Sequence, residues 1–147
     1  MTKPSKAVNP YHIFVDTNVL IGAYSGDVRF QKDEECVHYL FSLTGKRLFV
    51  SAHSVAQLIT TFQKKKTNKD IANIVRDIQH RFNVISFTSK DIENALQETG
   101  ADIEDNVQYI LALKQKCQII VTNNYKDYTP LIGITVVRPK DKRLIVR

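Results

Sequence analysis

Four aspartates, Asp16, Asp102, Asp105 and Asp127, form the pattern in this chain most suited to chemistry. Asp16 directly follows the short apolar run His12 to Val15 and is itself followed by Thr17 and Asn18, with no Gly-rich phosphate loop. Asp102 and Asp105 stand three apart at a helix start, which places both on one turn. Helix capping accounts for that pair alone, with Asp102 as N-cap and Asp105 as its partner. Asp16 has no equally plain capping duty, whereas Asp127, ahead of Tyr128 and Pro130, also fits ordinary turn chemistry. Carboxylates brought within about 4 to 6 Å raise one another's pKa unless a cation compensates. Hard oxygen donors select Mg²⁺ or Mn²⁺ over zinc, and such an ion activates water and polarises a phosphoryl oxygen. Phosphodiester hydrolysis is the chemistry that fits, and no Ser/His/Asp order, P-loop or GxGxxG competes with it.

The elements that must position these groups read as an alternating α/β chain. His12–Val15 and the β-branched run Ile119, Ile120, Val121 and Thr122 suit strands buried on both faces. Between them, Arg47–Val50 and Asn83–Phe87 are further strands, and Ile134–Val137 is the last. Helices are expected from Val19, over 30–43, from Val55 through Phe62, over 70–82, over 89–98 and from Asp102. In the last of these, Ile103, Val107, Ile110, Leu111 and Leu113 make one apolar stripe that should face the core. This alternation gives a parallel sheet sandwiched by helices. Ligands of open α/β sheets bind beyond the carboxyl ends of the strands, where Asp16, Asn123, Asn124 and Asp127 would fall.

With 147 residues, 43% of them hydrophobic, the chain suits one domain spanning 1–147, with a loose leader at 1–11 and a basic tail at 140–147 that is assigned no element. Cys36 and Cys117 lie far apart without CxxC or Cys/His spacing, which speaks against a disulfide framework or zinc site and for reduced thiols in a cytoplasmic protein. No apolar run approaches the roughly 18 residues of a membrane span. The net charge of +6 concentrates in Lys64, Lys65 and Lys66 and in the tail with Arg138 and Lys140. Such runs are either solvated surface or phosphate-binding patches. An acidic cluster within a basic protein favours the second, because carboxylates repel nucleic acid unless metal ions stand between them.

FVDTNVLI at 14–21, VSAHSVAQL at 50–58, DIEDNVQYILALKQKCQIIVTNNYKDY at 102–128 and ITVVRP at 134–139 together resemble the PIN-domain family of metal-dependent ribonucleases, which includes the VapC-type toxins. The resemblance covers nearly the whole chain, and its specificity lies in the order of the motifs. It implies a three-layer α/β/α sandwich on a central, mostly parallel sheet of about five strands. It further implies a Mg²⁺- or Mn²⁺-dependent endoribonuclease that cuts single-stranded or structured RNA, leaving a 5′-phosphate and a 3′-hydroxyl. Asp16 and Asp105 match the two central metal-binding aspartates, Asp102 an accessory acid, and Asn124 and Asp127 fall where the family places its last acid. Thr17, Asn18 and Thr122 match supporting positions. Gln57 departs from the pattern, since many members carry Glu there, and an amide supplies a neutral oxygen in place of a charge. The resemblance also implies a homodimer and an antitoxin partner of a type II toxin–antitoxin pair. The rival expectation is a degenerate RNA-binding module without turnover, motivated by Gln57 and Asn124.

Overall fold

The computed structural model describes residues 11–100 and 102–145. Five strands, β1 (Tyr11–Val15), β2 (Lys46–Ser51), β3 (Asn83–Ile85), β4 (Ile119–Val121) and β5 (Thr135–Val137), form one sheet in the order β3-β2-β1-β4-β5. Every pairing is parallel, with Ile13 against Leu48 on one side and Ile119 on the other. The connections are α1 (Thr17–Tyr24), α2 (Gln31–Ser42), α3 (Ala52–Phe62), α4 (Asn68–Arg81), α5 (Ser89–Ala95), α6 (Ile103–Lys114) and α7 (Tyr125–Tyr128). Strand order runs outward from β1 in two directions, so β1 and β4 flank the switch point of the sheet.

Side chains alternate along each strand, which divides the core into two layers. Ile13, Val15, Leu48, Val50, Ile119 and Val121 pack beneath α1 to α4 with Leu20, Val37, Leu40, Leu58 and Ile78. Phe14, Phe49 and Ile120 point the other way, against Tyr109, Leu111, Ala112 and Tyr128 of α6 and α7. The three-layer sandwich on a parallel sheet is therefore as expected, and burial on both faces explains the uninterrupted apolar strands.

Four local expectations are corrected. Helix α1 starts at Thr17 rather than Val19, so Asp16 is its N-cap and accepts from the Thr17 amide at 2.8 Å. Helix α6 turns a different face inward: Ile103 and Leu113 are 60% and 38% exposed, while Asp105, Gln108, Tyr109 and Ala112 are buried. The spacing of that buried set is helical, but half of it is polar. The loop after β4 contains the one-turn helix α7. Lastly, Tyr11 begins β1, and residues 139–144 of the tail form a 3₁₀ helix against α2, anchored by fully buried Ile145, whose carbonyl accepts from the Tyr39 hydroxyl. The rest of the expected leader, residues 1–10, lies outside the described residues.

One close approach between helices has a specific cause. Asp33 of α2 is buried and lies against Gly22 of α1, where an added Cβ would sit 2.0 Å from Asp33 Oδ2. Gly22→Ala must displace the buried Asp33 side chain from its place or shift the helices, and overpacking of this kind costs about 1–3 kcal/mol. Urea denaturation should show that loss, and an unchanged midpoint would contradict the contact.

Candidate active site

Asp16 lies at the carboxyl end of β1, where the chain leaves the sheet between β2 and β4. Its backbone amide still donates to the Val121 carbonyl at 2.9 Å, so the carboxylate starts from a rigid strand end. That carboxylate is almost wholly buried, and burial pushes its pKa up against the donors that surround it. Thr122 Oγ1 donates to Oδ2 at 2.7 Å, Asn18 Nδ2 to Oδ2 at 3.3 Å, and Gln108 Nε2 to Oδ1 at 3.1 Å. A buried charge survives only when its oxygens are satisfied in this way. Thr17, Asn18 and Thr122, expected as supporting residues, thus surround Asp16: Asn18 and Thr122 bond its carboxylate, and the Thr17 hydroxyl lies 2.6 Å from Ser54 Oγ.

Asp102 is the N-cap of α6 and accepts from the Asp105 amide at 3.0 Å. Asp105 does not close a capping box. Its carboxylate turns inward, where Asn124 Nδ2 donates to it at 3.4 Å and the Tyr128 hydroxyl at 3.3 Å. Oxygens of Asp102, Asp105 and Asp127 all lie within 4.8 Å of one another. Burial, then the carboxylates of Asp16, Asp102 and Asp127, push Asp105 up to about 7. Asp16 is not a member of that triplet, although it is near enough to repel Asp105. Asp105 is thus shared between two groups, Asp16 on one side and Asp102 with Asp127 on the other. Four carboxylates so placed, presenting only oxygen, fit a hard divalent cation.

The groove that opens over Asp16 and Asp105 is about 700 Å³ and is walled by Asn18 and Ile21 of α1, by His53, Ala56, Gln57, Thr60 and Thr61 of α3, and by Glu104 and Asn124. Gln57 does reach the site, but its amide is spent on Glu104, donating to Oε2 at 3.3 Å. Of the expected RNA-binding residues, Lys64 and Lys65 are exposed just past Thr61 at the end of α3. Lys66 is half-buried instead, with its ammonium on the Ser25 carbonyl at 3.1 Å and over the Phe62 ring. Arg138 lies over Tyr125, bonds Asp141 at 3.1 Å and lines a second pocket with Asn124 and Asp127; Lys140 is exposed nearby on the 3₁₀ helix.

Several residues at the site escaped the sequence. Gln108 is buried and its Nε2 lies 3.1 Å from Asp16, Thr17 and Ser54 alike, which ties α6 to α1 and α3. Tyr128 is fully buried beneath Asp16 and Asp105, both of which hold its phenol well above the usual range, after burial itself. Asp33 accepts from Asn123 Nδ2 at 3.1 Å, and the Asn123 amide donates to Asn18 Oδ1 at 3.2 Å, so a chain of bonds runs from α2 to Asp16. No local pattern signals these positions, because a glutamine or tyrosine in such a place reads as surface or core.

A pH dependence follows from Asp105. The fold raises its pKa from 3.8 to about 7, so the folded state binds this proton more tightly than the unfolded chain. Its contribution to stability is full below the unfolded value and is lost as pH rises through the folded one. Across about pH 4 to 7 the wild type should therefore lose stability relative to Asp105→Asn, which does not titrate, and Mn²⁺ should restore the wild type. Urea denaturation of both proteins over that range measures this; a difference that stays constant with pH contradicts it.

The PIN domain family model matches residues 12–126, from β1 into α7. Ribonuclease VapC1 of Aquifex aeolicus (strain VF5) is 27% identical over 143 residues, which span 86% of this chain and 91% of that protein. A toxin–antitoxin complex from Klebsiella pneumoniae is 20% identical with a TM-score of 0.64, over 86% of this chain and 97% of the other. The sarcin-ricin-loop-cleaving toxin VapC20 of Mycobacterium tuberculosis is 17% identical with a TM-score of 0.57, over 74% of this chain and 86% of the other. At such identities the solved structures bear on the fold alone. The family match spans both strands of the switch point and includes Asp16, Asp102 and Asp105, ending one residue before Asp127, and the chain belongs to the PIN domain family.

Proposed function

We propose that this protein is a Mg²⁺- or Mn²⁺-dependent endoribonuclease and the toxin of a toxin–antitoxin pair. The observation that carries it is the meeting of Asp102, Asp105 and Asp127 within 4.8 Å, with Asp105 also facing Asp16 across a groove that those two line and that has no Lys or Arg in its walls among the described residues. Charges of one sign gathered on rigid strand and helix ends oppose folding unless a ligand answers them. Asp105 is the central metal-holding residue in this reading, with Asp16, Asp102 and Asp127 completing the set. Asn124 now presents its nitrogen to Asp105, and its oxygen would face the ion only after the amide turns over. A divalent ion held by these residues would supply Lewis acidity to polarise a phosphodiester and to lower the pKa of a water.

The chain's own residues do the positioning. Thr122, Gln108 and Asn18 fix the Asp16 carboxylate in direction, and Tyr128 does the same for Asp105. Lys64 and Lys65 beyond one end of the groove, and Arg138 and Lys140 on the far side of Asn124, would hold the phosphates that flank the cut in this reading. An antitoxin would meet the same acidic groove, so a basic segment is the partner chemistry that fits it.

Purified protein should cut a labelled single-stranded RNA pool in Mg²⁺ or Mn²⁺ and not in EDTA, leaving 5′-phosphate ends. Asp105→Asn should keep the fold and lower the rate by at least about 10²-fold. RNA bound but left whole in both metals would favour a binding module without turnover, and an active Asp105→Asn would remove the metal scheme.

A further inference from the structure

The groove contains one side chain, among the described residues that line it, able to carry a positive charge: His53. It stands in the first turn of α3 and lines the groove together with Asp105. Its Nε2 lies 3.2 Å from Glu104 Oε2, and the same carboxylate oxygen accepts from Gln57 Nε2 at 3.3 Å. The edge of the ring packs against Phe87, with centroids 6.1 Å apart and planes at 90°. Three elements therefore converge on this imidazole: α3 carries it, the first turn of α6 supplies the carboxylate, and the segment after β3 supplies the aromatic wall. Glu104 comes between the candidate ligands in sequence, yet it turns away from the aspartate triplet to meet His53 and Gln57.

A histidine paired through one nitrogen to a carboxylate is fixed in orientation and keeps its other nitrogen available, and Nδ1 of His53 has no protein partner among the described residues. We infer that His53, oriented by Glu104, is the proton donor to the leaving oxygen of the phosphodiester. The inference rests on the nuclease reading of the same groove. In this step a water oxygen bonds to phosphorus, the bond from phosphorus to the 3′-oxygen breaks, and the 3′-oxygen takes the proton from the imidazolium. The attacking water releases its own proton to solvent, from which the neutral imidazole is recharged, so protons balance over one turnover. His53 is a catalytic residue in this scheme. Glu104 is a positioning residue, with Gln57 holding it in place.

A leaving group that needs no proton separates this role from folding or ion binding. Wild type, His53→Gln and Glu104→Gln are compared on the RNA pool and on bis(p-nitrophenyl) phosphate, whose nitrophenolate departs as a stable anion, with Mn²⁺ binding followed by electron paramagnetic resonance. His53→Gln should lower kcat on RNA by about 10²-fold or more, the usual worth of general acid catalysis, while hydrolysis of the activated ester and Mn²⁺ affinity stay at wild-type values. Glu104→Gln should show the same split with a smaller loss. RNA cleavage at the wild-type rate in His53→Gln overturns the inference, as does an equal loss on both substrates. Wild type that binds Mn²⁺ but cuts neither substrate overturns the nuclease reading, and the role of His53 with it.

Discussion

The constraint on which the rest of this structure depends is the burial of the Asp16 carboxylate at the switch point of a parallel sheet. An ion taken out of water that far must have its oxygens satisfied by the protein. The donors come from several elements around it: Thr17 and Asn18 from α1, Thr122 from the end of β4, and Gln108 from α6. Each donor fixes an element. Gln108 sets how α6 lies across β1 and β4, and through Ser54 it also holds the start of α3. The same demand explains why α6 turns a half-polar face inward, with Asp105 and Gln108 buried while Ile103 faces solvent.

A second tier of contacts supports the first. Asn18 is held by the Asn123 amide, and Asn123 by Asp33, which is buried beside Gly22 with its own pKa raised by burial. This arrangement leaves α1 no side chain at position 22 and brings α2 close enough to reach the loop after β4. The chain of bonds ties α2 and the loop after β4 to α1, with Asp33 buried and Asn123 exposed. Asp105, by contrast, accepts among the described residues only from Asn124 and Tyr128, and faces three other carboxylates. The site is therefore built with Asp16 solvated by protein and Asp105 left for a cation.

Much of the fold was legible because parallel strands buried on both faces read as unbroken apolar runs, and because Asp102 and Ser51 carry plain N-cap chemistry. Asp16 and Asp105 were legible as carboxylates at a strand end and a helix start. The inward face of α6 was not, since a periodicity argument assigns polar residues to solvent and here Asp105 and Gln108 belong to the interior. Helix α7, at four residues, is too short to show a period, and the docked tail depends on the single anchor Ile145 at its end. Asp33, His53 and Glu104 were invisible for a different reason. Their importance comes from partners distant in sequence, Asn123 for Asp33 and each other across α3 and α6, and no local pattern records such pairs.

The central claim is that this gathering of carboxylates is made for a divalent cation, and calorimetric titration of Mn²⁺ into metal-free protein near neutral pH tests it most directly. Because Asp105 is partly protonated there, binding must displace its proton, and the measured heat should shift between buffers of different ionisation enthalpy. Saturable binding with proton release is expected of the wild type, and both are lost in Asp105→Asn. Absence of binding, or binding that neither releases protons nor responds to Asp105→Asn, would contradict it.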